Sequence, residues 1–168
     1  FGQYKGALMQ DAHTITILIA DDQVLFAENL KLMLETLTED IKVVGIAFDG
    51  NQALQLVDSL LPDLVLMDVR MPGLDGVKAT KLIKEKHPEQ KIVMLTTFID
   101  DTYVESALHH GAAGYLLKNM KPNELIDAIN AVISGSVLLS PDLVSHLLKK
   151  SDPNNGRNDT ETESLRDF

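Results

Sequence analysis

Asp21, Asp22, Asp68, Thr96 and Lys118 are the side chains whose types and spacing suggest chemistry. Each follows a short apolar run: Ile15-Thr16-Ile17-Leu18-Ile19-Ala20 before the acidic pair, Leu64-Val65-Leu66-Met67 before Asp68, Ile92-Val93-Met94-Leu95 before Thr96, and Tyr115-Leu116-Leu117 before Lys118. Runs of this kind read as buried parallel strands, and ligands of open α/β sheets collect outside the carboxyl ends of the strands. Three carboxylates at one such edge repel, so the cluster either raises a pKa or takes up a cation. A site built of oxygens suits Mg2+ or Mn2+. With a hydroxyl from Thr96 and a point charge from Lys118 beside the metal, the set can bracket a phosphoryl group. Asp68 is then the candidate nucleophile, forming an aspartyl phosphate.

These residues need a scaffold of repeated βα units, and the patterning supplies one. Strands are expected at 15–20, 43–48, 64–67, 92–95 and 114–117. Helices are expected near 23–36, 50–61, 77–86, 101–110 and 122–134. Leu30, Met33, Leu34 and Leu37 form the apolar stripe of the first helix, Ala53, Leu54 and Val57 that of the second, and Ala79, Leu82 and Ile83 that of the third. Pro62 and His87-Pro88 stop the second and third helices, while Pro122 suits a first turn and Gly135 a helix stop. The fold class is therefore α/β: a doubly wound, five-stranded parallel sheet, flavodoxin-like, of order 2-1-3-4-5, with the runs at 15–20, 64–67 and 92–95 central.

The chain of 168 residues is long enough for one compact domain with tails. It contains no cysteine, which excludes disulfides, thiol catalysis and zinc–thiolate sites. Its formal net charge of −10 keeps it soluble and argues against direct nucleic-acid binding, which needs clustered Lys and Arg. No apolar stretch reaches the roughly 20 residues of a membrane span, and no export signal opens the chain, so a cytoplasmic location is expected. His13, His87, His109, His110 and His146 show no ligand spacing.

Several motifs jointly resemble the receiver domain of two-component response regulators: Ala20-Asp21-Asp22, the stretch from Leu66 to Gly76 (LMDVRMPGLDG), Leu95-Thr96-Thr97, and the stretch from Gly111 to Lys118 (GAAGYLLK). The likeness covers residues 14–135. It implies that Asp68 is the phosphoacceptor for a histidine kinase and that Asp21 and Asp22 hold Mg2+ together with the backbone carbonyl of Arg70. It also implies that Thr96 and Lys118 contact phosphate oxygens and that Tyr115 is an aromatic switch turning inward as Thr96 moves. Asn119 follows Lys118 where many receivers have Pro; Leu-Leu-Lys-Asn is similar to the NarL/FixJ-type subfamily, whose output is a LuxR-like helix-turn-helix.

The resemblance divides the chain into an N-terminal extension or expression remnant (1–13), the receiver (14–135), an amphipathic linker helix (136–150) and a flexible linker (151–168) toward an absent output domain. Its implied function is that of a transcription factor's receiver, not an enzyme beyond its own phosphorylation and dephosphorylation. Phosphorylation shifts the face made by the fourth helix, fifth strand and fifth helix, controlling homodimerisation, and DNA is met only through the output domain. The rim positions Arg70 and Phe98 would set the lifetime of the phosphoryl group. A stand-alone receiver is the alternative. A haloacid-dehalogenase-like phosphatase would need an acid two residues after the nucleophile, where Arg70 stands; a dinucleotide-binding module would need a Gly-rich turn in place of Asp21-Asp22-Gln23.

Overall fold

A computed structural model describes residues 13–150. The strands are β1 (Ile15–Ala20), β2 (Ile41–Ala47), β3 (Leu64–Met67), β4 (Lys91–Thr96), β5 (Gly114–Leu117) and β6 (Leu138–Leu139). The helices are α1 (Val24–Leu37), α2 (Gly50–Leu60), α3 (Gly76–Lys86), α4 (Asp101–His109), α5 (Pro122–Ile133) and α6 (Pro141–Lys150). The sheet order is β2-β1-β3-β4-β5-β6. The pairings of β1 with β2, β1 with β3, β3 with β4 and β4 with β5 are parallel, as short βα crossovers require. The three runs expected at the centre flank one another there.

Helix starts follow from the side chains present. The carboxylates of Asp49, Asp75 and Asp100 accept from the backbone N–H groups of Gln52, Lys78 and Thr102, capping α2, α3 and α4. Pro122 opens α5, where its missing N–H costs nothing. Alternation along the strands then sorts the core into two layers. Ile15, Ile17, Ile19, Leu64, Leu66, Val93 and Leu95 share one cluster with Leu30 and Leu34 of α1 and Leu125 and Ile129 of α5. On the other face, Met94 meets the Thr80 hydroxyl of α3 at 3.5 Å. That hydroxyl also donates to the Gly76 carbonyl at 2.8 Å, so a polar residue is buried without an orphaned group.

Several sequence expectations are corrected. β2 begins at Ile41 and ends before Phe48, whose ring lies at the exposed end of the strand. Leu82 is 41% exposed, because the buried stripe of α3 runs through Gly76, Ala79, Thr80 and Ile83 and leaves Leu82 about a quarter-turn outside it. Leu37 is 49% exposed at the end of α1, where Ala27, Leu30 and Leu34 carry the contact and the chain turns extended at Thr38. The sheet has a sixth, two-residue strand inside the segment read as linker helix. The Leu138 N–H donates to the Ala113 carbonyl at 2.9 Å, and so short a strand leaves no periodic signal. The helix of that segment is Pro141–Lys150, inside the span expected for it. Leu138 closes the first compact unit, and the second, from Leu139, contains α6. The assignments for residues 1–12 and 151–168 lie outside the described residues.

Candidate functional site

Cross-strand hydrogen bonds continue past the strand ends and draw the site residues into one row. The Asp68 N–H donates to the Ala20 carbonyl (2.8 Å), the Asp21 N–H to the Ala47 carbonyl (2.9 Å), and the Lys118 N–H to the Thr96 carbonyl (2.7 Å). Because β1 pairs Ala20 with Met67 and β4 pairs Thr96 with Leu117, the next residues of each strand emerge at the same edge. Sequence-remote groups thereby meet without any long loop.

The geometry is compact. Carboxylate oxygens of Asp21, Asp22 and Asp68 lie within 4.8 Å of one another. The Lys118 ammonium lies 2.6 Å from Asp21 Oδ2 and 3.4 Å from Asp68 Oδ2. Asp21, Asp68 and Thr96 are buried, whereas Asp22 is exposed. Asp22, Asp68, Arg70, Thr96 and Lys118 line a shared cleft of about 250 Å3, open to solvent. Burial, reinforced by the negative charge of Asp21, pushes the Asp68 carboxyl up to about 6; Lys118 opposes the shift without cancelling it. A cluster of hard oxygens with excess negative charge fits Mg2+ or Mn2+, since a cation there relieves the repulsion that raises Asp68.

The loop after β3 is shaped by backbone contact. Gly76 N–H donates to the Val69 carbonyl at 2.8 Å, and a Cβ on Gly76 would collide with the Asp68 carbonyl. Only glycine permits that approach, which seats the start of α3 against the residue bearing the candidate nucleophile. Gly73 supplies the positive φ (+73°) of the turn between them.

The Arg70 guanidinium stacks 4.6 Å from the Phe98 ring centroid and 5.7 Å from that of Tyr103, with Asp100 at 3.9 Å. Tyr115 is 1% exposed, and burial, followed by the charges of Asp100 and Asp68, pushes its phenol up to about 12. Its ring therefore stands inside the domain. Among the histidines, His13 pairs with Asp63, His87 with Asp58, and His109 packs edge-on against His110.

Sequence reasoning passed over Gln23 and Phe26. The Gln23 N–H donates to Asp21 Oδ1 at 2.8 Å, its side-chain oxygen accepts from Lys118 Nζ at 3.1 Å, and the Phe26 ring lies 4.2 Å from that ammonium. Their available signal was position: both fall in the turn that directly follows the acidic pair.

A parallel α/β domain with this acidic edge has the architecture expected of a receiver, and comparison with known proteins shows the family. Residues 17–130 match the response regulator receiver domain family. The chain is 42% identical over 136 residues to the transcriptional regulatory protein LnrK of Bacillus subtilis, covering 81% of this chain and 61% of LnrK. To the nitrate/nitrite response regulator NarL of Escherichia coli K12 it is 36% identical over 132 residues, covering 79% and 61%. A crystal structure of a LuxR-family two-component response regulator from Aurantimonas superposes with a TM-score of 0.77 at 30% identity, covering 82% of this chain and 97% of that one. This chain belongs to the response regulator receiver family. It is a signalling domain of two-component systems, related to the LuxR- and NarL-type regulators. It spans about three-fifths of the length of these curated relatives. Among the described residues no helix is long and apolar enough to cross a membrane.

Proposed function

We propose that this receiver works in the cytoplasm, accepting a phosphoryl group on Asp68 from the phosphohistidine of a histidine kinase, and that the modification controls a transcriptional output. The observation that carries the reading is the convergence of Asp21, Asp22 and Asp68 within 4.8 Å, with the Lys118 ammonium between Asp21 and Asp68. In the transfer, a carboxylate oxygen of Asp68 attacks phosphorus, the bond from phosphorus to the donor's imidazole nitrogen breaks, and that nitrogen leaves with the electron pair. Asp21, Asp22, Asp68 and the backbone carbonyl of Arg70 would hold Mg2+ (or Mn2+), which when bound neutralises charge on the phosphoryl oxygens. Lys118 contributes an ammonium and Thr96 a hydroxyl to the same oxygens. Hydrolysis of the acyl phosphate restores Asp68, so the domain turns over no substrate other than itself. Arg70 and Phe98, stacked at the rim, limit access of the hydrolytic water.

A phosphoryl group adds about −1.5 to −2 charges to an edge already crowded with carboxylates. Thr96 moves toward it and Tyr115 occupies the space released, biasing α4, β5 and α5 between two arrangements. Homodimerisation through that face then controls DNA binding by an output domain joined through residues 136–168. The site residues and the kinase carry over equally to a stand-alone receiver; the relatives' greater length favours a regulator with an output domain.

Intact-mass spectrometry after acetyl phosphate treatment tests the reading. One phosphoryl adduct is expected, dependent on divalent cation, abolished by EDTA and absent in Asp68→Asn; a single adduct that persists in Asp68→Asn defeats it. Tyr115→Ala should retain the adduct yet lose the change in sedimentation that beryllofluoride produces in the parent protein.

A further inference from the structure

We propose that Phe26 and Gln23 are positioning residues for Lys118, completing a cage that holds its ammonium within reach of both buried aspartates and ready for phosphoryl oxygens. The inference deepens the phosphoacceptor reading and rests on it. An ammonium has three N–H donors and no acceptor. Here three oxygens lie about it: Asp21 Oδ2 at 2.6 Å, Gln23 Oε1 at 3.1 Å and Asp68 Oδ2 at 3.4 Å. The Phe26 ring adds a fourth wall, its centroid 4.2 Å from Nζ. The face of the ring attracts the cation through its quadrupole and supplies no competing oxygen. With the Lys118 side chain only 7% exposed, water does little of the solvation that this cage provides.

The local sequence accounts for the cage. Gln23 is the N-cap of α1 and Phe26 follows three residues later, so both lie on one side of the first turn. Gln23 acts twice, because its backbone N–H fixes Asp21 Oδ1 at 2.8 Å while its amide oxygen receives the ammonium. One helical turn thus orients both the carboxylate and the cation that neutralises it. Of the three oxygens, Asp68 is the farthest, and it is the one whose modification would call on a Lys118 donor. A four-carbon flexible stem does not hold such a position unaided, since it has many rotamers to populate. Phe26 and Gln23 restrict it without adding negative charge, which Asp or Glu in their places would do.

The test uses the full chain with Phe26→Leu, Phe26→Tyr and Gln23→Leu. The rate of phosphoryl incorporation from acetyl phosphate with Mg2+ is compared with the proton shifts of the Lys118 ε-methylene, recorded without metal or phosphodonor. In the parent protein those protons should resonate upfield of the other lysines, under the ring current of Phe26. Phe26→Leu should abolish that displacement and slow incorporation about three- to tenfold; Phe26→Tyr should restore both. Gln23→Leu should slow incorporation while keeping the upfield shift. A thermal melt identifies any variant that has lost its fold, and the parent spectrum is independent of all variants. Ordinary ε-methylene shifts in the parent, an unchanged rate in Phe26→Leu, or a slowed rate that Phe26→Tyr fails to recover would overturn the proposal. Absence of any adduct in the parent protein would instead condemn the phosphoacceptor reading, with the spectra still judging the cage.

Discussion

Two aspartates bracket the same four-residue strand and live in opposite electrostatic worlds. Asp63 precedes β3 and Asp68 follows it. At Asp63, burial raises the pKa, but donation from the Thr16 N–H, the Thr16 hydroxyl and His13 outweighs it, and the carboxyl is held below its usual range. At Asp68, burial acts in the same direction and the neighbouring Asp21 adds to it, so the carboxyl rises to about 6. Identical chemistry is thus held ionised at one end of β3 and pushed toward the neutral form at the other. The difference lies in the partners: hydrogen-bond donors at the amino edge, a like charge at the carboxyl edge.

The largest test of this contrast is a paired substitution. Asp68→Asn should remove the phosphoryl adduct entirely, while Asp63→Asn, at the far end of the strand, should leave its yield unchanged by mass spectrometry. Next in size is Gly76→Ala, which should destabilise the domain by roughly 2–4 kcal/mol in urea unfolding, because its Cβ meets the Asp68 backbone. Gly73→Ala should cost less, about 1 kcal/mol, since nothing lies within 4 Å of its Cβ and only the positive φ resists.

The two aspartates should also give pH dependences of opposite sign. Asp68 has a folded-state pKa raised from 3.8 to about 6. Its contribution to stability is therefore fully present below its unfolded value and is lost as pH rises through about 6. In metal-free buffer at pH 7.5, Asp68→Asn should stabilise the fold by about 1–2 kcal/mol, discounted for solvent reaching the cleft, and the gain should shrink toward pH 4. Asp63 has a lowered folded-state pKa. Its contribution is present above the unfolded value and disappears as pH falls through the folded one, so Asp63→Asn should cost about 1 kcal/mol at neutral pH from its weakened hydrogen bonds, and less in acid. A common sign for both substitutions in pH-dependent unfolding would break the comparison. The smallest effect expected is at Phe98→Ala, a modest acceleration of phosphoryl loss, read as the decay of the adduct after removal of acetyl phosphate.

Much of this edge is legible in the sequence. Apolar runs ending in Asp21-Asp22, Asp68, Thr96 and Lys118 mark strand ends, because a charged group inside a strand buried on both faces would be desolvated without a partner. The five-stranded order 2-1-3-4-5 is recovered within the observed sheet. β6 escaped because two residues carry no period, and Leu82 was misassigned because a stripe that admits Thr80 does not look apolar. Gln23 and Phe26 escaped for a different reason: their contact with Lys118 joins positions separated by more than ninety residues, which no local pattern encodes.

By itself the order of residues determined the alternation of strands and helices and the chemical types offered at the strand ends, since periodicity and capping are short-range properties of the chain. Distances were decided only by tertiary structure. The register of β1 against β3 and of β4 against β5 turns remote acids and a lysine into neighbours, and burial at their meeting point raises Asp68. Desolvation and Coulomb repulsion depend on what surrounds a group in space, so these properties exist only once the sheet has closed.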